Sequence, residues 1–138
     1  VRRVAKELGL PKSICERKPF PGPGLAIRIL GEVTPERVEK IRMATVIVEE
    51  MIKSDKIFQV FPVLFSDKAT GVIEGKRVLG NVIAIRAIES KDGTTGRPYK
   101  IPWPKLEKVR DKILKTVPGV VKVVYDITPK PPSTIEYI

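Results

Sequence analysis

The sequence predicts an α+β fold, a two-layer sandwich with an antiparallel sheet carrying helices on one face, in the order α-β-β-α-β-β. Three observations predict it. Two segments, 34–52 and 102–117, repeat apolar residues at steps of three and four, the period of a helix with one buried face. Four β-rich stretches, 57–65, 78–88, 120–127 and a short 134–138, are each too short and too rich in β-branched and aromatic residues to read as further helices. The β stretches fall in pairs with hairpin-length links, and single helices separate the pairs, which favours an antiparallel sheet with helices on one side.

Taken in order, residues 2–9 read as a short helical turn in which Val4, Leu8 and the later Ile14 share one side, closed by Gly9-Leu10-Pro11. Residues 18–24, Lys-Pro-Phe-Pro-Gly-Pro-Gly, exclude helix, because three prolines remove donors and fix φ. They form either a linker or a stiff loop held against a ligand or neighbour. Thr34-Pro35-Glu36 starts a helix, with Thr34 as N-cap, Pro35 in the first turn and Glu36 at the positive end of the dipole. Val38, Ile41, Thr45, Val48 and Ile52 make its core stripe. Ala44, Ile47 and Met51 widen that stripe, which fits a broad core face or a second apolar contact such as another chain.

In the first strand, Ile57, Gln59, Phe61, Val63 and Phe65 share a face by alternation, and Gln59 is the polar member. A buried amide there needs a partner, at a cost of roughly 1–3 kcal/mol if it has none. The alternative is a strand-end position that meets water or backbone. Gly71 and Gly75 bracket a tight connection to the strand 78–88, where Arg86 interrupts an apolar run and shares a face with Val82, Ala84 and Ile88. Ser90–Arg97 is a polar loop with an Asp92-Gly93 turn. Pro102 and Pro104 open the second helix, lined by Leu106, Val109, Ile113 and Val117 and stopped by Pro118-Gly119. The last alternating strand sets Val121, Val123, Tyr125 and Ile127 against Val120, Lys122, Val124 and Asp126. A short terminal strand, 134–138, follows the proline-rich corner.

The 138 residues fit one domain, and 42% hydrophobic content supports a packed core. Net charge of +10 favours anionic partners such as phosphates, nucleotides or nucleic acid. A single cysteine, Cys15, excludes an internal disulfide and a CxxC metal site. The absence of histidine removes His-based triads, His-ligated metals and imidazole acid–base chemistry. No stretch approaches the ~20 apolar residues of a membrane span. The start, Val-Arg-Arg-Val, has no apolar signal region and no initiator Met, so the expectation is a cytoplasmic protein, or an excised piece of one.

No Walker loop, GxSxG elbow or dinucleotide fingerprint occurs, so the residues alone describe a binding or assembly domain. Two features suggest ligands. Gly93-Thr94-Thr95-Gly96 contains the GxxG of KH modules, which makes nucleic-acid binding an alternative reading, although KH loops join two helices and this one follows a strand. At the other end, Lys122, Lys130 and Glu136 surround Pro131-Pro132. Their ammonium groups suit a phosphate, and the carboxylate suits a sugar hydroxyl or base N–H. The plain reading of the second feature is Lys130 as an exposed loop lysine and Glu136 as a charge on an edge strand.

Pro19-Phe20-Pro21-Gly22-Pro23-Gly24-Leu25-Ala26-Ile27-Arg28, followed by Leu30-Gly31-Glu32-Val33-Thr34, resembles the PFPGPGLAIR…LGEVT motif of GMP synthases. Tyr125-Asp126-Ile127-Thr128-Pro129-Lys130-Pro131-Pro132-Ser133-Thr134-Ile135-Glu136 resembles their C-terminal YDITSKPPATIE motif. The likeness spans nearly the whole chain. It implies the C-terminal dimerisation domain of the ATP-pyrophosphatase part of that ligase, residues 19–138, with 1–18 as the tail of the catalytic domain. The intact enzyme adenylates xanthosine monophosphate (XMP) with Mg-ATP and displaces AMP with ammonia derived from glutamine. This chain has no SGGVDS phosphate loop, so the resemblance implies no cofactor here and no activity alone. Implied partners are a second copy, XMP, the catalytic domain and a glutamine amidotransferase subunit or domain, with no membrane and no nucleic acid.

Carried over by motif position, Gln59 and Glu136 fall on the ribose or base of XMP, Lys122 and Lys130 on its phosphate, and Ile135 alongside. Lys122 stands where the family usually has arginine, eight residues before the motif lysine; it keeps the charge and loses the bidentate fork. Lys18 replaces a usual histidine, the segment around Lys68 and Glu74–Arg77 follows the family's RSVGVxGDxR loosely, and the chain ends Glu136-Tyr137-Ile138 where bacterial members end EWE.

Overall fold

A computed structural model describes residues 2–138. The fold is α+β, with a four-stranded sheet. Two short helices, α1 (Arg2–Glu7) and α2 (Lys12–Cys15), precede a 3-10 turn over Gly24–Arg28. Then come α3 (Pro35–Met51), β1 (Gln59–Ile73), β2 (Lys76–Glu89), the two-residue β3 (Arg97–Pro98), α4 (Trp103–Thr116) and β4 (Val120–Tyr125).

Helix α3 starts where its signals place it. The Thr34 hydroxyl accepts from the Arg37 amide at 3.2 Å, Pro35 occupies the first turn, and Glu36 is the acidic residue there. Its widened stripe is a core face of this same chain: Ile41, Ala44, Ile47 and Val48 are buried with Val109, Ile113 and Val117 of the α4 side and with Val60, Leu64, Ile83 and Ile85 of the sheet. Each such aliphatic side chain contributes about 1.5–3 kcal/mol on burial. By contrast, Val4, Leu8 and Ile14 of the first two helices are exposed.

Strand β2 is central. Along one edge it pairs antiparallel with β1, from Gln59↔Ile88 to Ile73↔Lys76, with an irregularity between Leu64 and Lys68. Both strands run longer than the sequence predicts, because the register resumes beyond Ser66-Asp67 and carries a hairpin to the turn at Glu74-Gly75. On its other edge β2 pairs with β3 antiparallel and with β4 parallel. The sheet is therefore mixed, and the antiparallel expectation is corrected at β4. The reason is the connection: α4 carries the chain back along the sheet, and such a crossover delivers a parallel neighbour where a hairpin delivers an antiparallel one.

The terminal strand expected at 134–138 is absent as well, and the order is α-α-α-β-β-β-α-β. Residues 126–138 instead lie over the sheet face opposite the helices, where Phe61, Val63, Ala84 and Ile88 pack with Ile135. Ile57, expected on that face, belongs to the helix-side core. Alternation fails for it because regular strand begins two residues later.

Val121 explains two glycines. A Cβ on Gly80 would lie 2.3 Å from a Val121 methyl and 2.7 Å from the Gly119 carbonyl oxygen, and one on Gly71 would lie 2.4 Å from the Val121 Cβ. The hairpin thus closes on β4 only without side chains at these positions. Gly80→Ala is expected to lower unfolding free energy in denaturant titrations by about 1–3 kcal/mol through overpacking against fixed backbone.

Candidate functional site

The tail-covered face is organised by Arg86, which is 0% exposed. Its position follows from the strand: Arg86 is register partner to Phe61, so both side chains rise on the same face. Every guanidinium nitrogen has a partner. Nε donates to the Ile135 carbonyl at 2.8 Å, Nη2 to the Thr134 carbonyl at 2.7 Å, and Nη1 to the Thr128 carbonyl at 3.0 Å. Nη1 also pairs with Asp126 Oδ2 at 3.0 Å. Asp126 in turn accepts from the Tyr137 hydroxyl at 2.6 Å and the Thr128 amide at 2.8 Å. A buried charge thus joins the isolated Gly96↔Lys130 bridge in fastening residues 128–137.

Electrostatics follow this wiring. Burial alone would raise the Asp126 carboxyl, but hydrogen bonds from Tyr137 and Thr128 and the Arg86 charge outweigh it and hold it below the usual carboxylate range. Tyr137 is pushed up by burial and by donating to Asp126. Burial also pushes Tyr125 up to about 12.

A second arginine sits on the same face. Arg28, 2% exposed, ends the 3-10 turn, whose next residues are tied to β1 by the Ile29↔Leu64 bridge and a Leu30 amide bond to the Leu64 carbonyl. Its guanidinium lies 4.4 Å from the Phe61 ring centroid and 5.1 Å from that of Phe20, a cation held between two aromatic faces. Nη2 donates to Glu136 Oε1 at 3.1 Å.

The structure places the five predicted residues as follows. Gln59 is buried and its amide donates to the Pro19 carbonyl at 2.8 Å, so both its burial and its backbone partner are settled. That bond and the Phe20–Arg28 contact make residues 18–24 a stiff loop held against a neighbour within the chain. Lys130 Nζ donates to the Gly93 carbonyl at 2.8 Å, and its backbone pairs with Gly96 in both directions. Ile135 is buried against Phe61 and Ile88, and Glu136 is bonded to Arg28. Gln59 is opposite Ile88 in the β1–β2 register, and Gly96 approaches the Ile88 side chain, so these four gather at one end of the sheet. Lys122 does not join them. It is exposed, opposite Val82, six residues up β2 from Ile88, or roughly 20 Å of strand.

A cavity of about 680 Å³ opens between the proline loop and the end of α3, lined among others by Lys18, Phe20, Arg28, Lys53 and Gln59. The GxxG loop links β2 to β3 rather than two helices, and its Gly93 carbonyl and Gly96 backbone are occupied by Lys130. The nucleic-acid reading therefore has no free clamp to rest on.

A family model described as GMP synthase C terminal domain matches residues 46–137. A subunit of the glutamine-hydrolysing GMP synthase of Archaeoglobus fulgidus is 56% identical over 137 residues, 99% of this chain and 45% of that protein. The chain belongs to the GMP synthase C-terminal domain family. The corresponding subunits of Methanopyrus kandleri and Halobacterium salinarum are 50% and 49% identical, again over 99% of this chain. The chain spans less than half the length of these relatives.

Sequence reasoning missed Arg28, Arg86, Asp126 and Tyr137 as members of the candidate site in this GMP synthase family domain. Arg86 carried a signal, a charge inside an apolar β run; Arg28 lay in the proline motif but gave none of its own. Arg86→Met is expected to destabilise the chain by about 3–5 kcal/mol, leaving Asp126 and three carbonyls without their cation. Amides 133–137 should then lose hydrogen-exchange protection before the rest of the sheet.

Asp126 makes acid stability testable. A carboxyl lowered in the folded state stabilises in full above its unfolded value of about 3.9, and that contribution is lost as pH falls through the lowered value. Below about pH 4, the melting temperature should therefore fall more steeply for the native sequence than for Asp126→Asn.

Proposed function

We propose that residues 19–138 are the dimerisation and XMP-binding portion of a GMP synthase ATP-pyrophosphatase subunit, and that residues 1–18 end its catalytic domain. The observation that carries this reading is the gathering of Gln59, Lys130, Ile135 and Glu136 at one end of the sheet in a chain of this family. In the intact enzyme XMP would be adenylated with Mg-ATP and aminated with ammonia from glutamine. The relatives are named as one subunit of a glutamine-hydrolysing enzyme, which supports a separate amidotransferase partner.

Within this reading Lys130 offers an ammonium to the phosphate, while Glu136 accepts from the ribose or base and Gln59 accepts from or donates to them. Binding XMP would require the Lys130 ammonium to exchange its carbonyl partner or add to it. Lys122, at the far end of the face, would meet the same nucleotide only across a dimer. The dimer is supported by an exposed apolar row on and beside β4, where Trp103 and Ile127 are 69% and 72% exposed around Val124.

In the full subunit, Lys130→Ala and Glu136→Ala should each raise the KM for XMP by roughly tenfold or more, the cost of one charged hydrogen bond. Unchanged KM values would remove these residues from the site. The chain by itself, given XMP, Mg-ATP and ammonia, should form no GMP, and it should dimerise with concentration in sedimentation runs.

A further inference from the structure

The Arg28–Glu136 pair stands out among the buried contacts of the described residues as incompletely satisfied. One bond joins Nη2 to Oε1, while Arg28 Nε, Arg28 Nη1 and Glu136 Oε2 are buried without partners among the described residues. A pair selected for stability would close as a two-bond fork, which uses both carboxylate oxygens. Instead three polar atoms remain unpaired, each carrying the desolvation cost of a buried polar group. Such exceptions call for an explanation, and a binding role supplies one.

The two partners are held by different means. Arg28 is rigid: its backbone leads directly into the bridge with β1, and its guanidinium is fixed between Phe20 and Phe61. Glu136 lies on irregular chain, and the backbone just before it is fastened through the Thr134 and Ile135 carbonyls to Arg86. Its side chain is 18% exposed while Oε2 itself is buried, so the carboxylate lies just beneath the surface of the face. Arg28 also lines the 680 Å³ cavity that Gln59 lines.

We propose that Arg28 is a positioning residue for Glu136, engaging Oε1 so that Oε2 is presented to a hydrogen-bond donor of the nucleotide. This inference rests on the reading that Glu136 meets XMP. An ionised carboxylate oxygen only accepts, so the group recognised is a sugar hydroxyl or a purine N–H, not the phosphate. Because Oε2 is buried, the nucleotide would reach it only on a rotation of the Glu136 side chain about its Arg28 contact.

The test uses the full-length subunit with ammonia as nitrogen source. Arg28→Met should raise the KM for XMP roughly ten- to thirtyfold and leave that for ATP unchanged. The pair Arg28→Met with Glu136→Gln should be no worse than Glu136→Gln alone, because both remove one function. A purely structural arginine would lower kcat through lost active enzyme and leave both KM values in place. If Glu136→Gln raises the KM and Arg28→Met does not, the positioning role is overturned and the site reading stands. If Glu136→Gln leaves the KM unmoved, the site reading itself fails. Should Arg28→Met not fold, Arg28→Lys enters the same cycle: non-additive effects support the role, and additive ones overturn it.

Discussion

A fully buried arginine on the central strand is the constraint from which the rest of this face follows. Left unpaired, the Arg86 cation would be too costly to bury, and its partners all come from one stretch, residues 126–135. The sheet therefore cannot expose or bury this face independently of its C-terminal segment: the segment is the solvent substitute for the guanidinium. Three carbonyls and one carboxylate fix its path, and its one strand-type pairing among the described residues is the isolated Gly96↔Lys130 bridge. The same arrangement delivers Ile135 into the apolar patch around Phe61 and brings Glu136 within reach of Arg28.

The elements built on local patterns were legible. The Thr34 cap, the α3 and α4 stripes and the β1–β2 pairing all depend on periodicity and on residues a few positions apart, which a sequence displays directly. The parallel placement of β4 was not, because the direction of a strand after a crossover is set by how a helix packs across the sheet. The terminal segment misled for a related reason. Its Thr-Ile-Glu-Tyr-Ile run has strand-like composition, but its carbonyls are taken by Arg86, which lies about 50 residues earlier in the chain. Gln59 was the one site residue whose local pattern announced a need, a lone amide in an apolar register. Lys130, Ile135 and Glu136 were marked by motif, and only the fold shows that they share an end of the sheet with it.

Charge is distributed in a way that composition hides. The chain carries ten more cations than anions, yet its two most deeply buried arginines on this face are each matched by a carboxylate, Asp126 and Glu136. The surplus therefore lies toward the surface, where it creates a field attractive to phosphates over a Debye length of about 8–10 Å without fixing any one of them. Lys130 is the cation among the gathered residues, and its ammonium donates to the Gly93 carbonyl. Hydrogen bonds from the Thr94 and Thr95 amides, helped by the Lys130 charge, hold the nearby Asp92 carboxyl below its ordinary value, without an ion pair between Asp92 and Lys130.

That difference separates two kinds of fastening within one short segment. Where a cation faces a carboxylate, as at Arg86–Asp126, removing either partner strands a charge, so the contact resists exchange. Where it faces a carbonyl, as at Lys130–Gly93, a phosphate oxygen is the stronger acceptor, and exchange releases only a dipole that water or the loop backbone can satisfy. The Arg28–Glu136 pair lies between the two, charged on both sides and bonded once. A face assembled this way keeps its fold at Arg86 while leaving graded room at its rim. Placing exchangeable contacts within a few residues of a permanent one would let a ligand be gripped without the segment first having to order itself, and so would remove most of the entropy cost of closing on it.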